Sequence, residues 1–296
     1  MFYSPLRYPG GKGKLALFME YMIDQLGHRG GIYIEPFAGG AGIAIELLQK
    51  QVVSKIVIND YDKGIWSCWK AILTETNRFV EAVRTVPLTI EEWTKQRNIC
   101  LNQNDKYSFE LGFATFYMNR TNRSGIIKGG IIGGQEQSGQ WKMNARFNRE
   151  DLVKRILDIA ARKDNIKLYN KDIKSFIINY IPLYEENALI YFDPPYFKKG
   201  KQLYMNFFRP EDHKRIESTI RENVNCDWII TYDDAPEIES IYAAYSMRLY
   251  DLNYSVSKKC KASELMIFKD GIEIPSEKSL QSQKININIR AYSSII

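Results

Sequence analysis

Short apolar segments typical of buried strands alternate with segments of helical periodicity along much of this chain. The predicted strands cover residues 31–35, 55–60, 166–169, 188–192 and 228–232. The predicted helices cover residues 12–26, 43–48, 173–180 and 210–223. Strands that alternate with helices favour an α/β fold with a mainly parallel, doubly wound sheet, in which ligands bind at the carboxyl ends of the strands.

The strand pattern stops in the middle of the chain. Between residues 76 and 162, helical patterns at 91–101 and 109–118 flank a stretch rich in glycine and glutamine. We therefore predict one sheet-forming domain from residues 1–75 and 163–296, with residues 76–162 inserted as a helical module. A chain of 296 residues is long enough for both.

The composition argues against several classes of site. The four cysteines include no Cys-x-x-Cys pair and the only histidines are His28 and His213, so we expect neither a zinc cluster nor a disulfide framework. We place both histidines on helices and give them no catalytic role. The N-terminus has no signal-peptide pattern, and no apolar stretch approaches membrane-spanning length. We expect a cytoplasmic protein that binds no membrane and no metal ion.

A glycine-rich loop follows the first predicted strand, with Gly39, Gly40 and Gly42 after Glu35-Pro36-Phe37. Glycines allow a tight turn and close approach of the backbone to a ligand. The next strand ends at Asp60, about 20 residues beyond the loop, as in nucleotide-binding α/β units. A carboxylate there can accept hydrogen bonds from ribose hydroxyls. The alternatives are an ordinary connection and a helix cap at Asp60, and the pattern also fits a nicotinamide dehydrogenase.

The tetrapeptide Asp193-Pro194-Pro195-Tyr196 directly follows the predicted strand at 188–192. Two prolines force an extended exit, so the Asp193 carboxylate, the Pro194 carbonyl and the Tyr196 ring can face one pocket. Two acceptors beside an aromatic ring suit the amino group of adenine, whose lone pair can then point at an electrophilic methyl group. Stacking of a base on an aromatic ring contributes about 1–3 kcal/mol. The alternative is a strand end capped by a polar turn.

Two acidic positions nearby have simpler interpretations. We expect Asp233-Asp234 to cap a loop, although the pair resembles a metal site. Glu264 precedes the apolar run at 265–268, so we expect it to begin a late strand without a direct chemical role.

Most of the net charge lies in one segment. The whole chain carries 41 basic and 35 acidic residues, a net charge of +6, whereas residues 117–149 alone carry six basic residues and one acidic residue, a net +5. Cations suit phosphates, and side-chain amides and arginine suit base edges, which predicts a DNA contact surface. An ordinary polar surface loop is the alternative. The candidate DNA-binding residues are Asn119, Arg120, Asn122, Arg123, Lys128, Lys142 and Arg146.

The motif order resembles that of the adenine-N6 DNA methyltransferases of the D12 class, which include the DNA adenine methylases. Tyr8-Pro9-Gly10-Gly11-Lys12 resembles their N-terminal motif, in which an aromatic residue and a lysine flank the S-adenosylmethionine site; many members have Trp in place of Tyr8. The glycine loop resembles their methionine-binding loop, and Asp60 matches the ribose-binding acid. Residues 193–196 match the catalytic motif, and Asp172 lies where the family often contacts the cofactor adenine.

The resemblance implies a Rossmann-like S-adenosylmethionine-dependent methyltransferase fold with a target-recognition insertion at 76–162. The implied catalytic residues are Asp193, Pro194, Pro195 and Tyr196. The implied cofactor-binding residues are Tyr8, Lys12, Glu35, Phe37, Gly39, Gly40, Gly42, Asp60, Asp172 and Asp193. The implied activity is site-specific N6 methylation of an adenine flipped out of double-stranded DNA, in a bacterial or phage-infected cell, with a cognate restriction endonuclease as a candidate partner. A non-catalytic DNA-binding regulator that retains the cofactor pocket is the alternative.

Overall fold

The computed structural model describes residues 3–7, 15–102, 106–198, 208–256 and 258–291. In this part of the chain, eight strands form one sheet in the order β3-β2-β1-β4-β5-β7-β6-β8. The strands are β1 (Ile32–Glu35), β2 (Lys55–Asn59), β3 (Ile166–Tyr169), β4 (Ala188–Phe192), β5 (Asp227–Asp233), β6 (Ser246–Val256), β7 (Lys258–Phe268) and β8 (Ile289–Ala291). β1 to β5 pair in parallel and β6 to β8 pair antiparallel, which confirms the predicted mainly parallel sheet.

The parallel strands are apolar because the sheet is covered on both faces. All five residues of β4 are buried. Ile34 and Val57 face one apolar core, whereas Tyr33 and Ile56 face another. A parallel sheet buried on both sides is the arrangement that Rossmann-like folds require. The predicted strands at 166–169 and 188–192 coincide with β3 and β4. The predictions for β1 and β2 differ by one residue at one end, and the prediction for β5 is one residue short at each end.

Helices connect the strands and cover the sheet. They are α1 (Leu15–Gln25), α2 (Gly42–Gln49), α3 (Lys63–Thr74), α4 (Thr76–Thr85), α5 (Ile90–Leu101), α6 (Phe109–Thr121), α7 (Arg149–Ala160), α8 (Ile173–Asn179), α9 (Pro210–Asn223), α10 (Pro236–Ile241) and α11 (Glu277–Ser282). Side-chain caps begin several of them; for example, Thr89 accepts a hydrogen bond from the Glu92 N–H at the start of α5. The placement of His28 on a helix is wrong, because this residue lies in the turn after α1. No helix in the described ranges is long and apolar enough to cross a bilayer.

Helices α4 to α7 occupy the predicted insertion, and its described residues add no strand to the sheet. α6 is apolar nearly all round, and every residue from 111 to 121 is buried. A Cβ at Gly112 would lie 2.5 Å from the Ser67 carbonyl oxygen of α3, so the glycine lets the two helices touch. The ring of Phe79 meets those of Phe113 and Phe116 edge to face, with centroids 5.5 and 5.2 Å apart. These helices share one apolar core with a face of the sheet.

The antiparallel end of the sheet was predicted only in part. The expected late strand at 264–268 is the end of β7, which pairs with β6 from Lys258 to Phe268. β6 itself and β8 were missed. In β6 the alternation of apolar and polar residues shifts by one at Tyr250, so no regular period of two marks this strand in the sequence.

Candidate active site

The carboxyl ends of the parallel strands bring three of the candidate acids to one edge of the sheet. Glu35 ends β1, Asp60 follows β2, and Asp193 follows β4. β1 lies between β2 and β4: the chain continues from β1 to β2 and β3 on one side, and then crosses to β4 on the other side. Such a switch in strand order opens a crevice above the strand ends, which is where open α/β sheets bind ligands.

The glycine loop between β1 and α2 is held by its neighbours. Gly39 has a φ of 46°, and its N–H donates to an Asp60 carboxylate oxygen at 2.7 Å. Its carbonyl accepts a hydrogen bond from the Trp69 indole N–H at 2.9 Å, so this glycine is committed to the protein itself. Gly42 begins α2, is exposed, and a Cβ there would meet no atom within 4 Å. The open approach to the helix therefore lies at Gly42.

Asp60 ties this loop to the next one. One carboxylate oxygen accepts from Gly39, and the other accepts from the Asp62 N–H at 2.9 Å. Burial and the nearby Asp62 carboxylate raise the pKa of Asp60 to about 7. The helix cap is Asp62, which accepts from the Ile65 N–H at 3.0 Å, so the alternative role of Asp60 as a cap is wrong. An ionised carboxylate has about four acceptor sites, so two remain for hydroxyl groups of a ligand.

Two asparagines that the sequence analysis missed link the loops after β1, β2 and β3. Asn59 is buried, and its amide donates to the carbonyls of Pro36 and Lys171 at 3.0 and 3.1 Å. The Asn170 amide donates to the Asp60 carbonyl at 2.7 Å. Asparagine at the carboxyl end of a strand, before a predicted loop, was the available signal. These bonds fix the rim of the crevice.

The other candidate cofactor residues differ in burial and in what they contact. Glu35 is buried and accepts from the Ala44 N–H of α2 at 3.0 Å. Phe37 is half-buried, with its ring 5.9 Å from that of Phe208. Asp172 is exposed and caps α8 by accepting from the Ser175 N–H at 2.9 Å. Gly40 is buried beside the N-terminal segment, where its carbonyl accepts from the Ser4 hydroxyl at 2.5 Å. Tyr8 and Lys12 lie outside the described residues.

The tetrapeptide 193–196 leaves β4 at the crevice. Asp193 is half-buried, and its carboxylate accepts from the Thr231 hydroxyl at 3.3 Å. Thr231 is in turn 2.7 Å from the Tyr191 hydroxyl. Pro194 is buried and Pro195 half-buried, whereas Tyr196 is 7% exposed. These contacts orient the Asp193 carboxylate through β5, the neighbouring strand.

Asp233 holds the turn that follows the tetrapeptide. Its carboxylate accepts from the N–H groups of Phe197 and Lys198 at 2.7 and 2.8 Å. The expected loop cap at this position is therefore present, but the loop it caps belongs to the candidate site. Hydrogen bonds to an ionised group contribute about 1.5–3 kcal/mol each, so the turn is firmly anchored to β5.

The Tyr196 side chain reaches two strands beyond β4. Its hydroxyl donates to Glu264 Oε1 on β7 at 2.5 Å, and the Tyr250 hydroxyl on β6 donates to Glu264 Oε2. Glu264 is 2% exposed. The expectation that Glu264 begins the strand is wrong, since β7 begins at Lys258, and its contact with Tyr196 had no local signal in the sequence.

Three candidate DNA contacts point into the protein. The Asn119 amide accepts from the Arg7 N–H at 2.7 Å and donates to the Gly125 carbonyl at 2.9 Å. The Asn122 amide oxygen accepts from the Trp93 indole N–H at 2.8 Å. Arg120 is buried, and burial with the nearby charge of Arg7 lowers its pKa to about 9, which leaves it charged at pH 7. All three side chains are buried and serve the fold, so their prediction as direct base or phosphate contacts is wrong.

The other four candidates are exposed. They are Arg123, Lys128, Lys142 and Arg146. Residues 131–143, which include Lys142, form a loop whose two ends are joined by Gln137. The Gln137 amide donates to the Ile132 carbonyl at 2.8 Å and accepts from the Met143 N–H at 2.9 Å. This closed loop presents Trp141, which is 67% exposed. The sequence analysis missed Trp141, although an aromatic residue next to Lys142 was a visible signal.

The arrangement can bind a nucleoside and accept hydrogen bonds from an amine at the same edge. No group of three or more histidine, cysteine, aspartate or glutamate side chains in the described ranges is placed to hold a metal ion.

The chain was compared with protein families, curated relatives and solved structures. A family model for D12 class N6 adenine-specific DNA methyltransferases matches residues 8–256. A curated relative from Methanocaldococcus jannaschii, named type II methyltransferase M.MjaIII, is 24% identical over 204 residues, or 64% of this chain and 68% of the relative. Among solved structures, the rRNA methyltransferase aviRa from Streptomyces viridochromogenes aligns over 88% of this chain and 86% of its own, with 11% identity and a TM-score of 0.37. A methyltransferase from Pyrococcus furiosus aligns over 86% and 82%, with 12% identity and a TM-score of 0.33.

Proposed function

Since the chain belongs to the D12 class N6 adenine-specific DNA methyltransferases, we propose that it transfers the methyl group of S-adenosylmethionine to N6 of an adenine flipped out of double-stranded DNA. The observation that carries the proposal is the position of residues 193–196. They leave β4 at the switch in strand order, beside the loop that ends at Gly42. Nucleoside and amine sites would then share one crevice.

The cofactor site is proposed at the ends of β1 and β2. Gly42 leaves open space at the start of α2, and Asp60 retains acceptor capacity for ribose hydroxyls. Of the remaining candidates, Glu35, Phe37, Gly39 and Gly40 shape the loop, and Asp172 lies on the outer side as a helix cap. When bound, S-adenosylmethionine supplies an electrophilic methyl group on a positively charged sulfur. The residues present fit such a ligand.

The amine site is proposed at residues 193–196. The amino nitrogen of adenine is a weak nucleophile because its lone pair is delocalised into the ring. The Asp193 carboxylate and the Pro194 carbonyl would accept hydrogen bonds from its two N–H groups, which favours a pyramidal nitrogen with a localised lone pair. As the nitrogen–methyl bond forms, the sulfur–methyl bond breaks, and the positively charged nitrogen then loses one proton to solvent. The Tyr196 ring would stack on the base, a contact of about 1–3 kcal/mol. The hydrogen bond from Thr231 fixes the carboxylate in advance, so little reorganisation accompanies the reaction.

Base flipping is proposed because the adenine amino group is paired inside the duplex. Extrusion costs a few kcal/mol, which contacts with DNA must offset. We propose the insertion at 76–162 as the DNA-recognition part, with Arg123, Lys128, Lys142 and Arg146 on phosphates or base edges and Trp141 against a base. A restriction–modification setting, with a cognate endonuclease as partner, is supported only by the name of the relative from Methanocaldococcus jannaschii.

The test is methyl transfer from labelled cofactor to mixed-sequence double-stranded DNA. Wild type is expected to label adenine N6, and Asp193→Ala to lower the single-turnover rate at least 100-fold, as for loss of a preorganised polar group. Asp164→Ala is the matched control, since this exposed acid precedes β3 at the opposite edge of the sheet. Long-read sequencing of DNA from expressing cells identifies the target site. Wild-type protein that binds DNA but leaves it unmodified would instead support the non-catalytic regulator.

A further inference from the structure

Glu264 is a buried acidic residue that directly precedes an apolar segment of β7. The four residues that follow it in β7, at 265–268, are all buried and apolar. Across the sheet, Glu264 is paired with Asp233 of β5 on one side and Tyr250 of β6 on the other. A buried carboxylate costs several kcal/mol unless hydrogen bonds satisfy it, so Glu264 requires polar partners at this position.

Both oxygens of Glu264 accept hydrogen bonds from tyrosine hydroxyls, one from Tyr196 and one from Tyr250. In both bonds the tyrosine hydroxyl is the donor and the carboxylate oxygen is the acceptor. Hydrogen bonds from a hydroxyl to a carboxylate are among the strong ones in proteins. The carboxylate therefore joins the proposed base-stacking residue to the antiparallel end of the sheet.

Tyr196 is consequently held at two points. The backbone after it is anchored by Asp233, through the N–H groups of Phe197 and Lys198. The far end of its side chain is anchored by Glu264, across the width of β5. A tyrosine ring fixed both at the backbone and at its hydroxyl keeps one orientation, which a stacking surface for a flipped base requires.

We propose that Glu264 is a positioning residue for the methyl-transfer reaction and that it acts through Tyr196. Tyr250 completes the arrangement by occupying the second carboxylate oxygen. The inference rests on the proposed function, because it takes the Tyr196 ring as the surface on which the target adenine stacks.

The test is a double-mutant cycle on single-turnover methyl transfer. Tyr196→Phe keeps the ring and removes the hydroxyl, whereas Glu264→Gln keeps the side-chain volume and replaces one of the two acceptor oxygens by an NH2 group. Each is expected to slow transfer about 10- to 100-fold by misplacing the base. If Glu264 acts through Tyr196, the double variant is no slower than the slower single variant. Cofactor affinity is expected to change less than about twofold, since the Asp60 and Gly42 region is untouched.

Two further variants keep the test decisive. Tyr242→Phe is the control for loss of a hydroxyl from a fully buried tyrosine, and it is expected to leave the rate unchanged. If Glu264→Gln does not fold, Tyr250→Phe takes its place in the cycle. Tyr250→Phe is expected to slow methyl transfer less than Glu264→Gln, and it should cause no further slowing in a protein that already carries Tyr196→Phe. Urea unfolding checks that each variant is folded under assay conditions.

The outcomes separate the two proposals. If the wild-type protein methylates DNA but the rate losses of Tyr196→Phe and Glu264→Gln multiply in the double variant, the positioning role is wrong and the proposed function stands. The same holds if Glu264→Gln or, in its place, Tyr250→Phe has the wild-type rate. Wild-type protein that transfers no methyl group to any adenine-containing DNA overturns the proposed function, and the positioning role with it.

Discussion

The raised pKa of Asp60 makes cofactor binding sensitive to pH near neutrality. Its carboxylate is the proposed acceptor for ribose hydroxyls, and its pKa of about 7 means that a neutral solution contains both protonation states. Only the ionised state offers acceptors alone, so it is the binding-competent one. The apparent dissociation constant is the intrinsic value divided by the ionised fraction. We expect affinity to be about tenfold weaker at about pH 6 than at about pH 8.

The same group links pH to stability, and the sign follows from its raised pKa. An aspartate in the unfolded chain titrates near its ordinary value of 3.8, whereas Asp60 in the folded protein holds its proton up to about 7. Between these values the folded state binds more protons than the unfolded state, so the free energy of unfolding falls as pH rises. The three-unit difference corresponds to about 4 kcal/mol, spread over that window.

Asp60→Asn is the decisive variant. An amide resembles the protonated acid, because each is neutral and keeps only one unprotonated oxygen to accept from the N–H groups of Gly39 and Asp62. We expect weak cofactor binding that no longer varies with the Asp60 titration, and loss of its contribution to the pH dependence of unfolding. Calorimetry of cofactor binding and urea unfolding from about pH 5 to 8.5 measure both, and the variant also reports titration of the cofactor itself. Equal pH profiles for wild type and variant would refute the reasoning.

Three further predictions concern single side chains. Asp172→Ser keeps a helix cap for α8, so stability should change by less than about 1 kcal/mol; weaker cofactor binding in calorimetry would support the proposed adenine contact, and unchanged binding would leave Asp172 as a cap alone. Asn119→Ala removes buried hydrogen bonds to Arg7 and Gly125, so the free energy of unfolding in urea should fall by about 2–3 kcal/mol; a loss below about 0.5 kcal/mol would contradict its assignment to the fold. Trp141→Ala should leave stability within about 0.5 kcal/mol because the side chain is exposed, yet weaken DNA binding about 10- to 100-fold in a mobility-shift titration; unchanged affinity would exclude base stacking by this residue.

The parts of the candidate site that could be predicted from sequence are those encoded locally. A strand, a glycine loop and a helix follow one another within residues 32–49, and Asp193 comes directly after β4. Period and turn residues are properties of neighbours in the chain, so they can be read without knowing the fold. Glu35, Asp60 and Asp193 end or follow parallel strands. The carboxyl ends of parallel strands lie along one edge of the sheet, so the edge at which these acids meet was also predictable.

Which residues of the basic segment are buried could not be predicted from local sequence patterns. Asn119, Arg120 and Asn122 have the side chains that bind DNA, and their composition gives no indication that α6 is covered on every side. Only packing against α3, α4 and α5 turns these polar groups towards Arg7, Gly125 and Trp93. Arg123, Lys128, Lys142 and Arg146, which follow α6 in the chain, remain exposed.

The sequence by itself determined the alternating architecture, the order of the motifs and the acid beside the prolines. Only the tertiary structure decided which residues support that acid and its tyrosine. Thr231 of β5 contacts Asp193, which lies 38 positions earlier in the chain. Glu264 of β7 contacts Tyr196, which lies 68 positions earlier. Asp233 of β5 holds the turn after Tyr196. The physical reason is that strand order in a sheet is set by packing and crossover connections, so residues far apart in sequence become neighbours without any local pattern that marks them.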